Sequence, residues 1–348
     1  TLGDLWMILR RFFCLLPLLW ASLAPAQTRR DLRDMAGDTV QVPAHIERVA
    51  TVGAVPVLNS LLFAIGEGGR IVNGLPTFAK KPRWGYQMVF APHTASLPSL
   101  QNPDHSPQVE ALMQVAPDVV LTMDRSAAET LNRLGLPALY LAWRKPEDVK
   151  AVVRLLGDLL DQPKAAQRYV LRFDDIIGRV GAAIEREGGK RPTVLYFSPS
   201  TLRQPHLVAE WWIKAAGGNS VTDDGRQAET RSFTMEQLLD WDPDFLIVSD
   251  PGEAKAVLHD PRFAALKAVR TGQVLVTPCG AHTWGNRTSE QPLTVLWAAS
   301  QFHPRAVPAR QVQQETQRFY RELFAIDLSA AQVGEILTGG PRVLPADR

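Results

Sequence analysis

The chain of 348 residues is long enough for two lobes of about 130–160 residues each. With 45% hydrophobic and 21% charged residues it has an ordinary globular composition, which excludes a disordered chain. A formal charge of +2 with no basic stripe excludes a polyanion-binding surface, so no nucleic-acid partner is expected.

In chain order, Met7 is followed by Arg10 and Arg11, an apolar run from Phe12 to Leu23, and the small residues of Ala24-Pro25-Ala26. This is the pattern of a cleavable secretory signal over residues 1–26, with the mature chain starting near Gln27. The run is shorter than the roughly 20 residues a spanning helix needs. Cys14 lies inside it without preceding small residues, so lipid attachment is not expected. Removing the signal leaves Cys279 as the only cysteine, which argues against an internal disulfide, an iron–sulfur cluster and a thiolate zinc site. No later run is long enough to cross a bilayer, so a soluble periplasmic protein is expected.

Short β-branched runs then alternate with amphipathic stretches, the signature of an α/β protein with mainly parallel strands. Strands are expected at Val49–Val52, Ile71–Asn73, Val119–Thr122, Ala138–Leu141, Val194–Phe197, Phe245–Val248 and Val274–Thr277. Helices are expected at Pro56–Ile65, Val109–Gln114, Ala127–Leu134 and Pro146–Leu160. Lys164–Glu187 repeats apolar residues with a period near 3.6 and holds no proline, and Gly188-Gly189 ends it. One long helix halfway along the chain implies two Rossmann-like lobes, over 27–163 and 188–348, joined stiffly by 164–187, with only modest hinge motion.

The halves echo each other. Glu110 precedes Pro117-Asp118 by seven residues, and Glu236 precedes Pro243-Asp244 by the same seven. Each segment reads as a helix with an exposed Glu near its start, a Pro-Asp turn and a buried strand. A first-turn Glu alone is ordinary helix-dipole chemistry. Matching position, spacing and downstream strand favour a paired function.

At this point the chain resembles the helix-linked substrate-binding proteins of bacterial ABC importers for iron–siderophores, haem, cobalamin and related compounds. The resemblance is carried by Asp34-Met-Ala-Gly-Asp-Thr-Val-Gln-Val-Pro43, Glu47-Arg-Val-Ala50, Leu61 to Gly66, Arg70-Ile-Val72, the two Glu…Pro-Asp segments, the long helix and Ala215-Ala-Gly-Gly-Asn219. It implies that Glu110 and Glu236 dock onto arginines of an inner-membrane permease that works with an ATPase. Trp284 to Leu293, Leu296-Trp297, His303-Pro304, Phe319-Tyr320, Phe324 and Asp327-Leu-Ser329 resemble a branch that includes molybdate/tungstate and iron-complex binders. That branch has no single ligand, so a chelated metal and an oxyanion both stay open, with the long aromatic first-lobe loop favouring the bulkier chelate. A monomer without a resident cofactor is expected.

Ligands of open α/β lobes sit beyond the carboxyl ends of the strands, here in the cleft between the lobes. The loops there carry Arg83, Trp84 and Tyr86, then Arg125, then Trp143 and Arg144. In the second lobe they carry His206, His282, Trp284 and Arg287. Arginine pairs its donors with carboxylate, catecholate or oxyanion oxygens, and aromatic faces give planar walls. Each Trp is either such a wall or core, and Arg287 either touches ligand or orients its own loop with Glu290. A metal held by protein alone needs three or four converging ligands, and no HxxxH, HxH or Cys–His spacing occurs. One or two histidines could complete the sphere of a metal already chelated. An enzyme is the rival class, but no Gly-x-Ser-x-Gly, P-loop, Gly-x-Gly-x-x-Gly or His-Glu-x-x-His motif is present. A receptor-docking protein that signals ligand occupancy is the third reading.

Overall fold

The computed structural model describes residues 28–143 and 145–341, so the signal segment and Arg144 lie outside the described residues. An antiparallel hairpin of β1 (Arg29–Arg33) and β2 (Thr39–Pro43) opens the chain. The first lobe follows, with β3 (Val49–Val52), α1 (Val55–Phe63), α2 (Tyr86–Phe90), α3 (Val109–Val115), β4 (Val119–Thr122), α4 (Arg125–Arg133), β5 (Ala138–Tyr140) and α5 (Asp148–Leu159). Its sheet is parallel in the order β3-β4-β5, with Val49 facing Val119 and Val120 facing Ala138. Every residue of β3 and β4 is buried, as strands covered by helices on both faces must be.

The linking helix α6 (Pro163–Glu187) starts one residue before the expected segment, because Pro163 occupies a first-turn position where its missing N–H costs nothing. It leads to β6 (Thr193–Tyr196), β7 (Arg203–Gln204), α7 (Val208–Ala215), β8 (Asn219–Ser220), β9 (Arg231–Ser232), α8 (Met235–Trp241), β10 (Phe245–Val248), α9 (Pro251–His259), α10 (Lys267–Arg270) and β11 (Val274–Val276). This second sheet is parallel in the order β11-β10-β6-β8. The chain closes with α11 (Gln291–Phe302), α12 (Ala309–Leu323) and α13 (Ala330–Leu337).

These last helices do not stay with the second sheet. Tyr320 and Phe324 stack among Phe63 and Phe90 of the first lobe, with ring centroids 5.0–5.8 Å apart. Arg172 and Arg179 of α6 hold the buried Glu315 of α12. One hydrophobic core therefore runs from the hairpin through α6 to α13, while a second, containing Phe197, Phe233, Leu246 and Phe263, lies under the far side of the second sheet.

The two Glu…Pro-Asp segments have one local architecture. Helices α3 and α8 are each seven residues long and end on a non-glycine residue in the left-handed region, Ala116 (φ 47, ψ 63) and Asp242 (φ 34, ψ 62). A proline follows each and stops the helix. The aspartate after it pins the neighbouring strand: Asp118 Oδ2 accepts from the Glu47 and Arg48 amides at 2.8 and 2.9 Å, and Asp244 Oδ2 accepts from the Thr193 amide at 2.8 Å.

Of the expected strands, Ile71–Asn73 forms only a single parallel bridge, Ile71 to Val49. Asn73 turns inward instead, its Oδ1 accepting from the Thr51 amide at 2.8 Å. Helix α4 begins two residues early because the Asp124 side chain caps the Ser126 and Ala127 amides.

Candidate functional site

The loop over 74–108 runs from the first lobe to the second, at the side where the expected cleft lies. Arg83 from that loop bonds the Ser249 carbonyl, Asp250 at 3.1 Å and the Thr283 hydroxyl at 2.8 Å, all in the second lobe. Trp84 follows it: its Nε1 lies 3.5 Å from the same hydroxyl, and its ring stacks on His282 at 5.7 Å with 21° between planes. Phe78 packs edge-on against Trp84 at 5.8 Å and meets His105 at 5.0 Å. An aromatic row, His105–Phe78–Trp84–His282, thus crosses from the first lobe to the second. Its first-lobe end is fixed through Gln101, which lies 3.3 Å from His105 Nδ1 and accepts from the Gly53 amide at 2.7 Å. Gly53, directly after β3, has φ 88, a conformation that glycine adopts freely.

The second wall carries titratable groups. Burial pushes the His282 imidazole down to about 3, and the neighbouring Arg83 guanidinium and His206 add to it. His206 is pushed down to about 4 by burial and then by Arg287, against a smaller opposing pull from Glu229. Both rings are therefore neutral at physiological pH, with a lone pair each. Arg287 makes an ion pair with Glu229, 58 residues away in sequence, and not with Glu290. Glu290 has a separate task. Fully buried, it accepts from the amides of Ala281 (2.9 Å) and His282 (3.1 Å), from the Thr288 hydroxyl (2.7 Å) and from the Tyr320 hydroxyl. Burial raises its carboxyl above the ordinary carboxylate value against the pull of those donors. The 280–290 loop folds around this acceptor. At Gly280 an added Cβ would lie 2.0 Å from the Tyr320 hydroxyl and 2.1 Å from Glu290 Oε1.

Behind the cleft the same loop is bolted to the first lobe. Gln87 donates to the Ala281 carbonyl at 2.5 Å and accepts from Asn59, while Ser289 donates to Ser60 through its amide (3.1 Å) and hydroxyl (2.7 Å). Tyr169 of the linking helix donates to the Ser289 carbonyl at 2.8 Å.

The structure brings Trp84, His206, His282 and Arg287 together at this wall. Tyr86 is buried behind it, its hydroxyl bonded to the Gln332 carbonyl and to Glu335. Trp284 is fully buried within the shared core and presents no surface to a ligand in this conformation. Trp143 is 5% exposed at the end of β5. Arg125 is exposed on α4, paired with Glu129 at 2.9 Å and Asp38 at 3.4 Å, on a cavity of about 580 Å³ beside the hairpin. Glu110 and Glu236 are exposed in the first turns of α3 and α8. Sequence reasoning placed His105 in the long first-lobe loop but did not single out Phe78 or Glu229. Phe78 was findable as an aromatic of that loop, whereas nothing in the sequence joins Glu229 to Arg287. Among the described residues no group of three or more His, Cys, Asp or Glu is arranged to hold a metal ion, and no helix is long and apolar enough to cross a membrane.

A family model described as periplasmic binding protein matches residues 60–279. No curated protein matches the chain in sequence. Among solved structures, a periplasmic solute-binding protein from Veillonella parvula is 24% identical with a TM-score of 0.77, covering 89% of this chain and 97% of that one. The molybdate-bound MolA of Haemophilus influenzae is 17% identical (TM-score 0.74, 86% and 99% covered). The nickel–histidine complex of Helicobacter pylori CeuE is 16% identical (TM-score 0.72, 87% and 98% covered). At these identities the likeness is one of fold: α/β, with parallel sheets and helices.

Proposed function

The chain belongs to the periplasmic binding protein family, and from that premise we propose that it captures an anionic metal chelate in its cleft and delivers it to an ABC importer of the inner membrane. The observation that carries the ligand class is the pair of neutral imidazoles, His206 beside Arg287 and His282 stacked against the Trp84 ring. Two lone pairs are too few for a bare metal and suit open positions on one already chelated. Arg287 answers the negative charge of catecholate or carboxylate arms. Trp84 supplies a flat apolar wall. A signal over residues 1–26 would send the chain to the periplasm.

A second reading, molybdate or tungstate, draws support from the shared fold of MolA. The aromatic row favours the chelate, since a small tetrahedral dianion has no use for planar walls. The two readings separate by titration with a ferric tris-catecholate and with sodium molybdate. The chelate reading expects saturable binding of the first, weakened about ten-fold or more in His206→Ala with His282→Ala; saturable binding of molybdate alone would replace it with the oxyanion reading.

Delivery is assigned to Glu110 and Glu236. Each helix begins beside the loop that follows its lobe's first strand, so each exposed Glu stands at the rim of its lobe, at the carboxyl end of the sheet. The Gln108 amide donates to Leu100 next to the Gly53-bound Gln101, and the Phe233 amide donates to Leu202 next to Arg203, which bridges to Ser198. Two arginines on a permease could read their separation. Glu110→Arg with Glu236→Arg is expected to keep fold and ligand affinity and abolish uptake; normal uptake would remove the docking role.

A further inference from the structure

Six large apolar side chains are exposed among the described residues, and two of them occupy matched places. Met113, 50% exposed, lies three residues after Glu110 on α3, and Leu239, 44% exposed, lies three residues after Glu236 on α8. Residues three apart share a helix face. The other four differ: Leu134, Leu171, Leu258 and Phe78 have Leu131, Arg168, Lys255 and Leu75 at that spacing, and none of these is acidic. Neither the Glu110 nor the Glu236 side chain makes a hydrogen bond or an ion pair among the described residues. Both helices are locked onto their sheets by the left-handed cap and the Asp118 or Asp244 pin, so each pair of side chains stands on a fixed base.

We propose that each lobe carries the same two-point docking patch, a free carboxylate with an apolar knob on the same face, and that the partner offers two like sites, each a cationic side chain beside a shallow apolar pocket. The proposal rests on the docking role given above to Glu110 and Glu236 and adds what makes it hold. An exposed ion pair is weak and screened by salt. A knob that leaves water on docking adds an attraction that salt does not screen, and repetition in both lobes makes the second contact intramolecular once the first has formed. The occupant is therefore the membrane permease, whose two like sites would match the two halves.

The test measures docking of the full mature protein to its permease–ATPase complex in lipid nanodiscs, over a range of salt. Met113→Ser and Leu239→Ser are each expected to weaken docking about five-fold and together about twenty-fold. The loss should be the same at low and high salt, with binding of ferric tris-catecholate and the melting temperature unchanged. Leu134→Ser with Leu258→Ser, the same chemistry with no acidic residue three positions before it, should dock normally. Wild-type docking by the Met113/Leu239 double variant, while Glu110→Arg with Glu236→Arg fails to dock, overturns the knobs and leaves the carboxylates standing. Wild-type docking by the Glu variant removes the docking role itself. An effect from only one of the two single knob variants overturns the two like sites. Sedimentation showing wild-type dimers that both knob substitutions dissociate would assign the patches to a second copy of this chain, which also overturns the proposal.

Discussion

The two lobes are alike where they face outward and unlike where they face each other. Helices α3 and α8 share length, left-handed cap, Pro-Asp turn and strand pin. The walls between the lobes share none of this: the first lobe brings aromatic residues on a long loop, and the second brings His282 and Arg287 on a loop wrapped around the buried Glu290, with His206 from the loop after β7. On the proposed docking, a partner that meets both lobes in the same way would keep these two helices alike. A ligand without such symmetry leaves each inner wall to its own chemistry.

The comparison breaks most easily at the acceptor inside the second wall. Glu290→Ala strips buried donors of their partner, at about 1–3 kcal/mol for each one left unsatisfied, so urea titration should show a loss of several kcal/mol. Tyr320→Phe, which removes one of the donors, should cost much less. Next in size is ligand affinity. Arg287→Ala removes a charge-assisted bond worth about 1.5–3 kcal/mol, so titration with ferric tris-catecholate should weaken ten-fold or more. Trp84→Ala should cost about 0.5–1.5 kcal/mol of stacking on the first wall. If affinity follows Trp84 more than Arg287, the division of labour between the walls is reversed.

Acid sharpens the contrast, because the strongly shifted imidazoles lie on the second wall. His282 and His206 hold values of about 3 and about 4 in the folded chain, against an ordinary 6.5. As pH falls below 6.5 the unfolded chain takes up protons that the folded chain refuses until about 4 and then 3. Stability is thus full above 6.5 and is lost on the way down. Melting temperature should drop between pH 6.5 and 4, and His282→Gln should flatten that drop. The smallest effect is expected at Arg125, whose exposed pairs with Glu129 and Asp38 are worth about 0–1 kcal/mol. Arg125→Ala should leave the melt almost unchanged.

The outward-facing similarity was legible in the amino-acid order, and the inward-facing difference mostly was not. Val49–Val52, Val119–Thr122 and Phe245–Val248 were read with their true ends, because each is a short β-branched or aromatic run, and a Pro-Asp turn marks the start of the last two. Ile71–Asn73 misled because its apolar pattern is that of a strand, yet Asn73 is spent on the Thr51 amide and Gly74 must pass close to Leu97. The two-residue strands β7 and β9 carry no periodicity to detect. In the cleft, the residue types pointed to the right loops, but Arg287 with Glu229 and Trp84 with His282 are contacts across 58 and 198 residues of sequence. Trp284 and Trp84 both lie in glycine-containing loops; only packing distinguishes the first, sealed in the core, from the second, half-buried beside His282.

The central claim, that the cleft holds one anionic metal chelate, is tested most directly by native mass spectrometry with metal analysis on protein purified from its own periplasm. The account predicts one added mass per chain, an organic chelator together with one metal ion, lost from the His206→Ala, His282→Ala variant. A tetrahedral oxyanion mass in its place, or a metal ion bound without any chelator, would contradict it.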